Sequence, residues 1–178
     1  MHEDIIEFWF EEIEASQWWG KDVEFDQLIS ERFSAVHKKA CQCELYGWRD
    51  TAEGRLAEII VLDQFSRNIY RNFPQSFSND SLALALSQEA IRLGADKAVS
   101  CKKRSIFYLP FMHSESAAIH EVAVDLYTAL AQEGSLEYEL KHKAIIDRFG
   151  RYPHRNEILG RVSTKEEIVF LLESGSRF

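Results

Sequence analysis

Proline, glycine and cysteine are all scarce in this chain of 178 residues, which has 3, 8 and 3 of them respectively. Few positions therefore interrupt regular secondary structure. An odd number of cysteines does not make a closed disulfide framework, and Cys41 and Cys43 lie two positions apart in a helical pattern, where side chains do not face each other. We expect reduced, mostly buried thiols, and neither a disulfide scaffold nor a zinc knuckle.

Long apolar runs are missing as well. No stretch approaches the roughly 20 apolar residues that a membrane-spanning helix needs, and the N-terminus is acidic where a signal peptide is basic. The sequence therefore predicts a soluble, cytoplasmic protein without membrane contact. With 46% hydrophobic and 12% aromatic residues, the chain can bury a sizeable core, so we expect a single helical domain over residues 1–178.

Basic residues are nearly absent from the first 31 positions, which contain ten acidic residues and one lysine, Lys21. The rest of the chain has nineteen acidic and twenty basic residues, so the net charge of −8 arises almost entirely from the N-terminal segment. This balance disfavours nucleic acid as a partner, because binding to phosphates needs a basic surface. A local basic pocket stays compatible with it.

Apolar residues recur at helical spacing along the whole chain. In residues 25–45 they follow Asp22, a suitable N-cap, and in residues 51–65 they cover nearly every side, which predicts the most buried helix. No strand-like alternation of useful length is present. The sequence predicts an all-α fold of about 7–9 helices, stacked as antiparallel helical hairpins.

Local signals place several helix ends. Pro110 should break or kink its helix, Ser114 is a suitable N-cap for the next one, and residues 163–166 (STKE) read as a capping box. Trp18 and Trp19 lie at a helix junction. We interpret them as packing residues of the core, in preference to a ligand-stacking wall.

Three segments concentrate polar side chains at predicted helix ends: residues 63–71, residues 110–115, and residues 148–161. The last contains four arginines and no lysine, which favours planar, bidentate recognition of an anion. If the helices stack antiparallel, alternate ends share one rim, and the three segments converge. Asn156, before an apolar turn, is a possible N-cap that adds N–H groups to an anion site.

The sequence therefore predicts an arginine-rich pocket that binds an anionic small molecule or an acidic or carboxylate segment of a partner protein. The opposite interpretation is structural: the same arginines pair with Asp63, Glu115, Asp147 and backbone carbonyls and lock the C-terminal loop to the core. The candidate ligand-binding residues are Asp63, Gln64, Arg67, Asn68, Arg148, Arg151, Arg155, Asn156 and Arg161.

An enzyme is the alternative function, either a hydrolase or a transferase. His113 or His154 would act as acid or base, Glu115 or Asp63 would orient it, and the arginines would stabilise developing charge, so that His113, Glu115 and His154 are the candidate catalytic residues. A metal hydrolase would add His142 as a ligand, but no metal-binding spacing such as HExxH supports it. We expect neither a metal nor a cofactor.

Residues 62–68 (LDQFSRN), 109–115 (LPFMHSE) and 149–156 (FGRYPHRN) together resemble a bacterial family known as domain of unknown function 924. The likeness also includes residues 8–10 (FWF), the Trp18–Trp19 pair and residues 159–161 (LGR), so it spans nearly the full chain. The resemblance implies a fold similar to tetratricopeptide-repeat helical arrays and no established activity. Ser66 stands where this family usually has proline, and His120 where it usually has glutamine.

Overall fold

The computed structural model describes residues 1–176, and within that range every regular element is helical, which confirms the all-α fold class. Two π-helical turns continue α-helices: residues Phe8–Glu12 follow the first α-helix, and Val61–Phe65 join the third α-helix to the fourth. Short 3-10 helices occupy Ala15–Trp18, Tyr46–Asp50, Pro74–Phe77, Ala95–Ala98 and Pro153–Arg155. The α-helices are α1 (His2–Glu7), α2 (Val23–Cys41), α3 (Ala52–Ile60), α4 (Ser66–Ile69), α5 (Asp80–Arg92), α6 (Cys101–Met112), α7 (Ala117–Leu130), α8 (Ser135–Phe149) and α9 (Lys165–Phe170).

From α5 to α8, helices that follow one another in the chain pack together. Helix α5 lies on α6, α6 on α7 and α7 on α8, while α3 contacts both α1 and α5. Short connections between such neighbours make helical hairpins, as the sequence predicts. A likeness to tetratricopeptide-repeat arrays stays a prediction of the resemblance. Within residues 1–176, no helix combines the length and the apolar character that crossing a membrane requires.

The centre of the molecule is α3 with the π-helical turn that follows it. Leu56, Leu62 and Phe65 have no exposed surface. The ring of Phe65 lies 4.9 Å from that of Phe33 in α2, which in turn lies 4.9 Å from Phe8, measured between centroids. The expectation that this is the most buried segment is confirmed, and its burial fixes the position of the polar residues that end it.

Helix starts follow the sequence signals at α2 and α3. The Asp22 carboxylate accepts hydrogen bonds from the N–H groups of Glu24 and Phe25, at 2.9 and 3.3 Å. The Thr51 hydroxyl accepts one from the N–H of Gly54 at 3.0 Å. Both caps satisfy N–H groups that have no partner inside the helix.

Three of the predicted helix ends were wrong in detail. The N-cap of α7 is Ser116, because the Ser114 hydroxyl accepts a hydrogen bond from the Ser116 N–H and the helix starts two residues later. The capping box of α9 pairs Thr164 with Glu167, one residue after the predicted pair. Pro110 does not break α6, because it lies in the last turn, where its missing N–H costs the helix one hydrogen bond.

The cysteines and one tryptophan are more exposed than expected. All three cysteines are free thiols at exposed positions, so the prediction of mostly buried thiols was wrong. Cys41 is the last residue of α2, and Cys43 lies in the turn beyond it at a φ of 57°, outside the helix face that packs on the core. Trp18 stacks on the buried Trp9 with 5.7 Å between ring centroids, but Trp19 is 61% exposed.

Gly54 is required by a close backbone approach at the start of α3. A Cβ atom at this position would lie 2.0 Å from the carbonyl oxygen of Trp48, which cannot move without displacing the preceding turn. We expect Gly54→Ala to lower the free energy of unfolding by about 1–3 kcal/mol through overpacking. Urea denaturation measures the change.

Gly47→Ala is the matched control, because no atom lies within 4 Å of the Cβ position there. Its unfolding free energy should stay within about 0.5 kcal/mol of the native value. Equal losses in the two variants would contradict the assignment of a close approach at Gly54.

Candidate functional site

A cleft of about 290 Å³ opens where the start of α5, the end of α6 and the segment after α8 meet. Its polar lining includes Asp80, His113, Glu115 and Arg155, and apolar side chains such as Phe77 and Leu159 complete the walls. The remaining lining residues are Pro74, Ser78, Ser81, Leu84, Pro110 and Ser114.

Asp63 lies beneath the cleft in the π-helical turn, and it is fully buried. Its carboxylate accepts hydrogen bonds from Nδ1 of His113 at 2.8 Å and from Nε2 of Gln64 at 2.5 Å, and lies 3.2 Å from Nη1 of Arg67. Burial acts to raise the pKa of Asp63, but the charge of Arg67 and the contact with His113 outweigh it and hold the pKa well below its ordinary value. Asp63 is therefore an ionised carboxylate whose charge is balanced within the fold.

Asp80, in the first turn of α5, joins two arginines. Its carboxylate accepts two hydrogen bonds from Arg67 and one from Nη1 of Arg155, each at 3.1 Å. The Arg155 guanidinium lies 4.6 Å from the ring centroids of Phe77 and of Tyr152, and its Nη2 donates to the His113 carbonyl at 3.0 Å. This cation thus contacts two aromatic rings.

Arg155 is almost fully buried, but its charge is only partly compensated. Its side chain is only 7% exposed, and within residues 1–176 its Nε atom has no hydrogen-bond partner. Burial lowers the pKa of Arg155, and the charge of Arg67 adds to that effect against the opposing effect of Asp80. A group of opposite charge at this position would relieve the cost of burying the cation.

Glu115 fixes the C-terminal segment to the start of α7. Arg161 donates to both of its carboxylate oxygens, at 2.6 and 2.9 Å, and the N–H of Tyr152 donates to Oε1 at 2.7 Å. Burial acts to raise the pKa of Glu115, but the bonds from Arg161 and Tyr152 outweigh it and lower the pKa. Arg161 also donates to Oδ1 of Asn156 at 2.9 Å.

The three polar segments therefore meet, as the sequence analysis expected. His113 contacts Asp63 across 50 positions of the chain, and Arg155 contacts the His113 carbonyl across 42. The arginines are also paired internally, as the structural interpretation expected, but its choice of Asp147 as a partner was wrong, because Asp147 pairs with Lys143 one turn earlier in α8 at 2.7 Å. A shared cleft and internal pairing are compatible, because Asp80 and Glu115 line the cleft and also bind arginines.

Of the four arginines in the C-terminal segment only Arg155 lines the cleft, and Arg148 and Arg151 bind carboxylates away from it, as Arg161 binds Glu115. Arg148 pairs with the exposed Glu166 at 2.9 Å, and Arg151 donates twice to Glu167 of α9, at 2.7 and 2.8 Å. Arg151 also donates to the Val162 carbonyl at 2.9 Å. These bonds fasten α9 to the end of α8.

Asn68 and Asn156 have structural partners as well. Asn68 donates to Asp26 of α2 at 2.8 Å, beside Arg71, which binds the same carboxylate. Asn156 donates to the Ser163 hydroxyl at 3.0 Å. The prediction that Asn156 is an N-cap was wrong, because it has helical dihedral angles and closes the 3-10 helix Pro153–Arg155.

His154 belongs to the segment but not to the cleft lining. Its ring centroid lies 5.4 Å from that of Tyr152. Burial, and after it the charge of Arg155, lowers the pKa of His154 to about 3. It is therefore neutral near pH 7.

Behind the cleft, a buried chain of polar groups runs from Tyr152 to α8. The Tyr152 hydroxyl donates to the Met112 carbonyl at 2.5 Å and lies 3.3 Å from Nε2 of His120. That nitrogen also lies 2.9 Å from the Ser114 carbonyl, and Nδ1 of His120 lies 2.7 Å from Oε1 of Glu139. The two ring nitrogens thus face two acceptors.

Asp80, Tyr152 and Glu139 were not among the predicted site residues. Asp80 and Glu139 read as ordinary acidic positions of helices, and no local pattern marks an acid that will receive two distant arginines. Tyr152 lies in the conspicuous segment of residues 148–161, and an aromatic side chain between two arginines was an available signal.

Across residues 1–176, no cluster of three or more His, Cys, Asp or Glu side chains is arranged to hold a metal ion. His113 is hydrogen-bonded to Asp63, and Glu115 accepts a hydrogen bond from Arg161, so the His113 and Glu115 side chains do not converge on one point.

Fold and site together define an all-helical protein with a polar cleft at its helix ends, walled by arginine–carboxylate pairs. The chain belongs to the family described as bacterial protein of unknown function (DUF924), whose model matches residues 5–175. A solved protein of unknown function from Agrobacterium tumefaciens is 42% identical, with a TM-score of 0.90 over 96% of each chain. No curated protein matches the chain. The resemblance found in the sequence is thereby confirmed.

The His120–Glu139 pair predicts that stability falls as the pH rises above neutrality. A carbonyl only accepts, so Nε2 of His120 must carry a proton, and a second proton must lie between Nδ1 and Glu139. Burial raises the pKa of Glu139, in keeping with this. Above about pH 6.5 an unfolded chain has a neutral histidine and an ionised carboxylate, which is one proton fewer than the folded pair holds. The unfolding free energy should therefore fall as the pH rises, by at most about 1.4 kcal/mol per pH unit, until the folded pair loses its extra proton.

Glu139→Gln isolates this effect, because the amide donates to His120 without a titrating proton. Urea denaturation of both proteins at several pH values between about 7 and 9 gives the two slopes. The slope of the native protein should be the more negative of the two. Parallel slopes would mean that the pair holds no extra proton.

Proposed function

We propose that this single helical domain binds a small molecule with an anionic group in its cleft, and that Arg155 anchors that group. One observation carries the proposal: Arg155 is a buried cation that lines a cleft, and Asp80, its one ion-pair partner among residues 1–176, is shared with Arg67. An anion entering the cleft would complete the compensation of this charge.

The local charges support a small ligand with one anionic group. Asp63, Asp80 and Glu115 oppose Arg67, Arg155 and Arg161, so the site is close to neutral as a whole. A highly charged ligand would leave most of its charge unmatched. An acidic segment of a partner protein would need a wider opening than the 290 Å³ cleft offers.

Ion pairs and hydrogen bonds within the protein reduce the number of candidate ligand-binding residues. Arg148 and Arg151 bind carboxylates outside the cleft, and Asn68 binds Asp26. Arg67, Arg161, Gln64 and Asn156 support the walls through their bonds to Asp63, Asp80, Glu115 and Ser163. The rings of Phe77 and Tyr152 restrain the guanidinium of Arg155, and a restrained guanidinium suits directional recognition of a carboxylate.

Thermal melts against phosphate and a panel of mono- and dicarboxylates test this proposal. A ligand at about a hundred times its Kd adds about 2.7 kcal/mol, which raises the Tm by roughly 5–10 °C for a chain of this size. Arg155→Gln should abolish the shift. Arg151→Gln, an arginine four residues away and outside the cleft, should preserve it.

Ser81→Trp provides a second variant in case Arg155→Gln does not fold, since Ser81 is an exposed residue of the cleft lining. A bulky ring there should block the ligand without touching the ion pairs. The proposal fails if no anion shifts the Tm of the native protein, or if both cleft variants respond like the native protein.

One observation favours a second candidate function, an acid–base enzyme of the hydrolase or transferase class. Asp63 holds Nδ1 of His113 at 2.8 Å, the arrangement in which a carboxylate orients a general base. Burial, with the charge of Arg67, lowers the pKa of His113, so the ring is neutral near pH 7. Arg155 would stabilise negative charge that develops on the substrate.

The enzyme candidate predicts that His113→Gln lowers turnover by roughly 10²–10⁴-fold in a screen of hydrolase and transferase substrates. His2→Gln, a histidine of α1, is the control and should keep the native rate. Because the neutral ring is the base and its pKa is lowered, activity should stay level down to about pH 6.5 and fall only at lower pH. Equal rates in native protein and His113→Gln would exclude His113 as the base.

A further inference from the structure

The hydrogen bonds around His113 determine which of its ring nitrogens carries the proton. Nδ1 lies 2.8 Å from Oδ1 of Asp63, and an ionised carboxylate can only accept a hydrogen bond. The proton of a neutral ring therefore lies on Nδ1. Nε2 is then an acceptor with an exposed lone pair.

Nε2 of His113 makes no hydrogen bond to any atom of residues 1–176. It is also not one of the buried polar atoms that lack a partner in that range, so it has exposed surface. The side chain is 15% exposed and lines the cleft. A group that enters the cleft therefore meets a hydrogen-bond acceptor at this point.

The tautomer is held firmly, because reversing it would leave Asp63 facing a lone pair. That carboxylate is fully buried, and its other partners, Gln64 and Arg67, come from the same helical segment. Two facing acceptors in a buried site are strongly unfavourable. The ring cannot rotate away without losing this bond.

The acceptor and the cation line the same cleft. Arg155 also donates through Nη2 to the backbone carbonyl of His113 at 3.0 Å, which ties the two residues together. Phe77, Leu84 and Leu159 line the cleft with apolar surface. The cleft thus presents a cation, an acceptor and an apolar surface to one ligand.

We infer that the cleft selects small hydroxycarboxylates: the carboxylate pairs with Arg155, the hydroxyl donates to Nε2 of His113, and the carbon body contacts the apolar wall. This inference rests on the anion site of the proposed function and adds the chemical class of its ligand. A keto group or a hydrogen at the same carbon leaves Nε2 without a donor, and a buried acceptor without a donor costs affinity.

Isothermal titration calorimetry with matched acids tests the selection. The first set is lactate, pyruvate and propionate, and the second is phenyllactate, phenylpyruvate and phenylpropionate, which share a charge and differ at one carbon. In at least one set the hydroxy acid should bind about tenfold more tightly than its keto and unsubstituted counterparts. The second set also offers a body large enough for the apolar wall.

His113→Phe keeps a flat ring but removes the acceptor. It should bind the three acids of a set with equal affinity, close to that of native protein for the unsubstituted acid. Arg155→Gln should bind none of them. The native-protein titrations and the tautomer measurement still decide the inference if His113→Phe does not fold.

Nitrogen-15 NMR of the histidine rings reads the tautomer of His113 directly, with His113→Phe or His113→Gln used to assign its signals. A protonated Nδ1 and an unprotonated Nε2 near pH 7 are expected. The opposite tautomer overturns the inference, and so does equal affinity for hydroxy, keto and unsubstituted acids. If no carboxylate of either set binds while the protein is folded, the anion site fails for these acids and the inference falls with it.

Discussion

The site depends on one constraint, the burial of an ionised carboxylate at Asp63. A buried charge is tolerated only where donors surround it, and Asp63 receives them from its neighbour Gln64, from Arg67 one turn later, and from His113 on another helix. Once Arg67 is fixed there, its remaining donors reach Asp80, and Asp80 in turn receives Arg155. The positions of Asp80 and Arg155 in the cleft wall, and the tautomer of His113, follow from this sequence of pairings.

Most of the fold was predictable because helical periodicity and caps are local properties. Asp22 and Thr51 begin helices where their side chains suggest, and the apolar run in residues 51–65 becomes the buried centre. The errors arose where two local signals compete. Ser114 and Ser116 are both plausible caps, and only the packing of α6 on α7 decides between them. Exposure of single residues at helix ends, such as Trp19, depends on tertiary packing that no local pattern encodes.

The sequence predicted which segments form the site, but not which arginine pairs with which carboxylate. Arginine density and helix ends identified three regions, and these do meet. Arg151 and Arg155 are four positions apart, yet the turn between them is not a regular α-helix, so the sequence could not show that one faces α9 and the other faces the cleft. Asp80 receives an arginine from 75 positions away. Such contacts are set by the stacking of whole helices.

The stacked pair Trp9–Trp18 has a consequence for spectroscopy. All four tryptophans lie within the first 48 residues, at positions 9, 18, 19 and 48, whereas the cleft is built from residues beyond Asp63. Intrinsic fluorescence therefore reports on the end of the molecule formed by α1, α2 and the start of α3, and circular dichroism reports on every helix. Agreement between the two melting midpoints would show that the acidic N-terminal end and the cleft unfold as one cooperative unit.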